Sequence, residues 1–212
     1  MIELSSARRL IASTGRHAVS VAGTLVSLLV FSIAHKASAA VTCTLSSSTL
    51  AFGTVNPFSA SSVTSGSLGY SCTASGPTAA TVSVCLSLGT GSGGTTPSNR
   101  TLASGASTIP IQITGGASNP ANIGNGTSYP QEGPFTLSVP KASTASSSLP
   151  LALTMPQKTP APAPGSYTST FSGTDAQMSY TSTSAPSTCA ALTGLTPQTT
   201  TGTLSITATI AT

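Results

Sequence analysis

The sequence predicts an all-β protein, an antiparallel β-sandwich held by disulfide bonds. Three observations predict it. Charged residues make up only 5% of the 212-residue chain and aromatics 4%, with no Trp. Short apolar runs alternate with Ser and Thr at a period of two, the mark of half-buried strands. Gly and Pro, 20 and 15 residues in all, cluster between those runs as turn signals. Ordinary globular chains carry about 25% charge. This composition therefore excludes a helical bundle, a coiled coil or a polyampholyte tail, all of which draw on Ala, Glu, Lys and Leu.

The chain opens with an export signal. Arg8, Arg9 and Arg16 precede an uncharged stretch at 19–34, VSVAGTLVSLLVFSIA, and Ala37-Ser38-Ala39 follows. A basic region, an apolar region of 16 residues and a small-x-small site describe a secretory signal peptide. A membrane anchor is the rival, but a span needs about 20 apolar residues. The expectation is a signal peptide at 1–39, cut after Ala39 or Ala40, and one domain at 40–212. Four of the seven basic residues lie in the first 36. Residues 40–212 keep Arg100, Lys141 and Lys158 against Glu132 and Asp175. Such a balance offers no basic patch to neutralise a row of phosphates, so nucleic acid is not an expected partner. Ser and Thr number 65 in residues 40–212, which suits an extracellular surface packed against neighbours.

The strands follow in order. Residues 41–45 form the first and 49–53 a second short piece. In 66–73 Leu68, Tyr70 and Cys72 share a face. In 80–88 Val82, Val84, Leu86 and Leu88 share one face, which puts Cys85 on the other. In 108–114 Ile109, Ile111 and Ile113 are in phase. Residues 135–139, 149–155, 167–171 and 177–181 come next. The chain closes with 203–210, where Leu204, Ile206, Ala208 and Ile210 alternate with Ser and Thr. Turn clusters fill 89–99, 115–130 and 156–165. The Pro/Ala tract at 159–164 is polyproline-like and reads as a loop inside the domain. No helix is expected.

Candidate chemistry is sparse. All four cysteines, Cys43, Cys72, Cys85 and Cys189, lie in the exported part. An even count in an oxidising compartment predicts two disulfides, and three pairings are open. A metal site is not expected, because no CxxC occurs and His17 and His35 both lie in the signal peptide. Gly89, Gly91 and Gly94 satisfy GxGxxG, but a dinucleotide site needs a helix there and an acid about 20 residues on. TTPSNR follows instead, so a flexible hairpin tip is the better reading. A serine nucleophile needs a base, and only Lys141 or Lys158 could serve. Glu132 and Asp175 are the one possible carboxylate pair of the glycosidase type. No enzyme and no cofactor are expected. Arg100, the single Arg of residues 40–212, is expected to donate to backbone carbonyls at a hairpin base rather than to bind an acidic ligand. Asn99-Arg100-Thr101 and Asn125-Gly126-Thr127 are sequons of the kind a Ser/Thr/Asn-rich chain holds by chance.

Several motifs occur in a familiar order. An early Cys43-Thr44-Leu45 is followed by Leu50-Ala51-Phe52-Gly53-Thr54-Val55-Asn56-Pro57, then Gly69-Tyr70-Ser71-Cys72. Leu88-Gly89, Asn99-Arg100-Thr101-Leu102 and a late Pro164-Gly165-Ser166-Tyr167-Thr168 come after them. In order and spacing these resemble the spore coat protein U domain family, which includes subunits of archaic (Csu-type) chaperone–usher pili. In the late motif the residue between Pro and Gly is missing and Ser169 stands where the family has Asp. Cys85, Cys189 and the tail after Tyr180 lie outside the minimal pattern.

The resemblance implies an immunoglobulin-like sandwich that is incomplete, missing one strand, with an open sheet edge. It implies a periplasmic chaperone, an outer-membrane usher and other pilin subunits as partners, the chaperone lending a strand first and a neighbouring subunit's N-terminal extension replacing it. It also implies the pairing Cys43–Cys72, and with it Cys85–Cys189. The function implied is an exported structural or adhesive subunit that accepts a donor strand. The rival is a stand-alone secreted carbohydrate-binding or coat module with a complete sandwich. Cleavage at Ala39 or Ala40 leaves three residues at most before Cys43, a reach of about 11 Å. Such a chain accepts a strand but has none to donate, which places it at the tip of the fibre.

Overall fold

An alternating strand buries one face only, so strands of this kind must stack in two layers around a shared core. The computed structural model describes residues 40–56, 61–115, 122–126, 129–195 and 197–211. Ten strands and one short helix follow in order: β1 (Ala40–Leu45), β2 (Ser48–Val55), β3 (Ser62–Ser75), β4 (Ala80–Leu88), β5 (Arg100–Ser104), β6 (Ser107–Thr114), β7 (Glu132–Val139), β8 (Ser143–Met155), β9 (Gly165–Thr181), α1 (Cys189–Thr193) and β10 (Gln198–Ile210). One layer runs β1-β3-β8-β6. The other runs β2-β10-β9-β4-β7, with β5 against β9. Because β6 pairs with β5 as well as with β8, the layers form one ten-stranded sheet curled over on itself. β1 and β2 belong to different layers, so the chain changes layer within residues 46–47. Every strand pair is antiparallel except β2 with β10, which is parallel.

The inner faces share one apolar cluster. Leu68, Leu149, Leu151 and Leu153 enter it from one layer, and Val82, Leu86, Phe171, Leu204 and Ile206 from the other. β4 is buried on both faces. Its valines and leucines face the core, while Cys85 meets Cys189 and Leu192 in a second, smaller cluster.

Four features depart from the sequence expectation, each for a physical reason. β3 and β8 extend well beyond the apolar pieces at 66–73 and 149–155. Their extra length is mostly Ser and Thr, which give no hydrophobic signal, and hydroxyls pair across the two strands: Thr73 Oγ1 lies 2.7 Å from Thr144 Oγ1. β5 was not expected, since Leu102 is its one large aliphatic residue and no apolar alternation marks it; it forms a hairpin with β6 closed at Ser104 and Ser107. The pieces at 167–171 and 177–181 are one strand, β9, exposed at 172–174 where the register against β10 shifts. A helix is present where none was expected. α1 is a single turn in which the Thr188 hydroxyl accepts from the Ala191 amide at 3.1 Å, and it buries Cys189 and Leu192. No helix among the described residues is long and apolar enough to cross a membrane.

Candidate functional site

The lane between β9 and β2 is the feature on which the sandwich turns. Through Thr181 the sandwich lacks one strand, since β9 and β2 do not pair with each other. β10 takes that place, antiparallel to β9 and parallel to β2. Its inward side chains Leu204, Ile206, Ala208 and Ile210 are buried in the core. Leu204 lies opposite Phe171, Ile206 opposite Ser169, Ala208 opposite Tyr167 and Ile210 opposite Gly165. On the other side Ile206 meets Leu50 and Ile210 meets Val55. Without β10 the amides and carbonyls along this edge of β9 would stand open to any strand of matching pattern.

A second cluster sits at the corner where β4 ends and β5 begins. Arg100 opens β5 and is only 1% exposed. Its Nε donates to Gly89 O at 2.7 Å, and its Nη2 donates to Leu88 O at 2.6 Å and Ile123 O at 2.7 Å. The guanidinium carbon stands 5.8 Å from the centre of the Phe171 ring. Burial pushes the Arg100 pKa down to about 10, against the raising field of Asp175. Asp175, on β9, accepts from the Thr90 and Gly91 amides at 3.2 and 3.1 Å. Gly89 is required here, because a Cβ would fall 1.8 Å from Asp175 Oδ1.

The sequence candidates fall as follows. Arg100 donates to backbone carbonyls at the base of the 89–99 loop, with Ile123 O an acceptor that sequence reasoning did not foresee. The glycines of GxGxxG lie in a loop with no helix following, and Asp175 accepts amide hydrogen bonds at the start of that loop. Asp175 serves as that anchor. Its being one of only two acids in residues 40–212 was the available signal, but sequence reasoning weighed it only as a partner for Glu132. Glu132 is buried at the start of β7, beside Gly115. Lys141 sits in the turn between β7 and β8, and Lys158 Nζ donates to Thr108 O. Asn99 donates to Thr95 Oγ1 at 3.2 Å, and Asn125 is exposed. The structure joins Cys43 to Cys72, direct register partners on β1 and β3, and Cys85 on β4 to Cys189 on α1. Ala39 lies outside the described residues, and Ala40 opens β1 opposite Ser75. Among the described residues no three His, Cys, Asp or Glu gather as metal ligands. A surface depression of about 440 Å³ lies beside α1, lined by residues such as Asn125, Gln131 and Thr188, with no aromatic or charged side chain among them.

No curated protein matches the chain. Among solved structures, the CooA pilin subunit from enterotoxigenic Escherichia coli is 12% identical at a TM-score of 0.36, over 81% of this chain and 99% of that one. The CupB6 tip adhesin from Pseudomonas aeruginosa is 13% identical at 0.40, over 78% of this chain and 40% of that one. A PapD-like domain of human CEP192 is 14% identical at 0.28, over 88% of this chain and 95% of that one. Overlaps of this depth carry no functional argument. The match that does is the Spore Coat Protein U domain, over residues 29–174, which runs from ahead of β1 into β9. Covering more than half of the sequence, it shows that the chain belongs to the Spore Coat Protein U domain family.

Proposed function

We propose that the chain is an exported structural or adhesive subunit of a chaperone–usher type pilus, taking a complementing strand between β9 and β2. The observation that carries this reading is where the family domain stops. It ends at residue 174, inside β9, so the strand that pairs the far edge of β9 comes from beyond the domain. Its partners on this reading are a periplasmic chaperone, an outer-membrane usher and other pilin subunits. Export begins with cleavage of the signal peptide after Ala39 or Ala40. The position is the fibre tip: cleavage after Ala39 or Ala40 leaves at most three residues before Cys43, and these pair within β1, Val41 with Ala74 and Thr42 with Thr73, so on that cleavage none is left to donate. The likenesses to a pilin and to a tip adhesin agree with the reading without adding weight.

A second reading is favoured by β10 itself. A chain whose own strand occupies the lane can serve as a stand-alone surface module. Two measurements test the first reading. Co-expression with the cognate chaperone and usher should place the chain in purified fibres, at their ends in immunogold images; labelling along the shaft removes the tip position, and no labelling removes the pilus. N-terminal sequencing of the exported protein should begin at Ala40 or Val41. A start before about residue 30 leaves a segment long enough to donate, since each extended residue spans about 3.4 Å.

A further inference from the structure

The lane between β9 and β2 is filled by a segment outside the family domain. β10 begins 24 residues after the domain ends. Yet from Thr203 to Ile210 it runs in unbroken register against β9. Ile206 lies opposite Ser169 and Ile210 opposite Gly165, large against small, while Ala208 lies opposite the ring of Tyr167. At the next inward position, Gly202, a Cβ would stand 2.9 Å from Leu45 Cγ of β1, so this position takes no side chain. An occupant of the lane must therefore read glycine, large, large, small, large at alternate positions. β10 reads Gly202, Leu204, Ile206, Ala208, Ile210.

β10 is also leashed to the body that it closes. The Cys85–Cys189 bond fixes residue 189 on β4. The eight residues 190–197 that link this anchor to β10 reach at most about 28 Å. β10 itself, 13 residues long, extends over about 43 Å. A leash shorter than the strand keeps β10 beside its own lane, at an effective concentration on the order of millimolar.

We propose that β10 is a resident complementing strand: it completes the sandwich in cis, and a strand from another chain enters the lane only by displacing it. This deepens the proposed strand acceptance and rests on that reading for the identity of the incoming strand, a pilin segment with the same alternate pattern. The molecule then has a closed form, stable by itself, and an open form competent for assembly. No bond is made or broken in the exchange; one set of ladder hydrogen bonds replaces another.

The test uses the full exported chain with a protease site placed in residues 195–197, and a fluorescent synthetic peptide of residues 198–211. Made without any chaperone, the uncut chain should be a soluble monomer. Its β10 amides should exchange hydrogen as slowly as those of β9. At peptide concentrations well below millimolar, uptake by the uncut chain should be less than about a tenth of uptake after cutting, because cutting removes the leash. Equal uptake before and after cutting overturns the proposal, as do β10 amides that exchange like an exposed loop. Where the added site prevents folding, Thr168→Cys with Thr207→Cys gives the same answer, since the two are register partners. A disulfide within the monomer is expected, and one between chains overturns the proposal. A chain that aggregates alone and is rescued by a chaperone removes the resident strand and leaves the pilus reading standing. A closed monomer that never enters a fibre does the reverse.

Discussion

The β10 lane and the Arg100 corner meet at Phe171 and are held by opposite means. In the lane, Leu204 lies opposite Phe171, and aliphatic side chains do the work with no charge at all. In the corner, the guanidinium stands against the same ring and gathers three backbone carbonyls. Residues 40–212 hold only two acids and three bases. Glu132 is buried as well, and one of each sign, Asp175 and Arg100, ties loops rather than solvating the surface. The contrast teaches that shape matches β10 to its lane, whereas charge fixes the frame against which that strand packs.

The largest expected effect comes from breaking the corner. Arg100→Met leaves the carbonyls of Leu88, Gly89 and Ile123 without their donor, and a buried group left unsatisfied costs about 1–3 kcal/mol. Counting the loss of the field on Asp175 as well, we expect about 4 kcal/mol, read as a fall in the urea midpoint. Arg100→Lys keeps the charge but not the planar fork, so it should recover less than half of that loss. Full recovery by lysine would mean that charge alone holds the corner.

The lane should answer more gently to a single truncation. Ile206→Ala removes three carbons from a fully buried site and leaves a cavity lined by Leu50 and Ser169. We expect about 3 kcal/mol, by the usual range for such changes, with β10 amides losing hydrogen-exchange protection before those of β3. A loss spread evenly over both layers would show that β10 does not open on its own.

How much of this was legible follows the chemistry of each segment. β4, β6 and β10 announced themselves because aliphatic side chains alternate along them, and the same alternation set Cys85 on the outer face of β4. The first half of β8, residues 143–148, is nearly all Ser, Thr and Ala, so nothing marked it although it pairs with β3 along its length. α1 is one turn long and owes its place to Cys189 and a threonine cap, which no periodicity reveals. The donors of Arg100 were readable as bonds to a hairpin base, but Ile123 O lies 23 residues away in sequence. That β10 lies parallel to β2, about 150 residues earlier, is a pairing between distant segments, which local pattern does not encode.

The smallest effect expected is none at all, across the range where most proteins respond to pH. Residues 40–212 hold no His, and the described cysteines are all in disulfides. Apart from the α-amino group, nothing there has an ordinary pKa between 6 and 9. Arg100 is the buried cation to watch. Burial lowers its pKa from the usual arginine range to about 10 in the folded chain. Below about 10 the group is protonated in folded and unfolded chains alike, so it adds no slope. Above about 10, up to the usual arginine range, the unfolded chain binds the extra proton, and stability contributed by this group rises with pH. The difference between the wild type and Arg100→Met isolates the arginine. We expect the melting temperature to vary by less than about 1 °C from pH 6 to 9, with the difference curve flat there and turning upward above pH 10. A difference curve that bends below pH 9 would mean that Arg100 is not the fixed cation on which the corner depends.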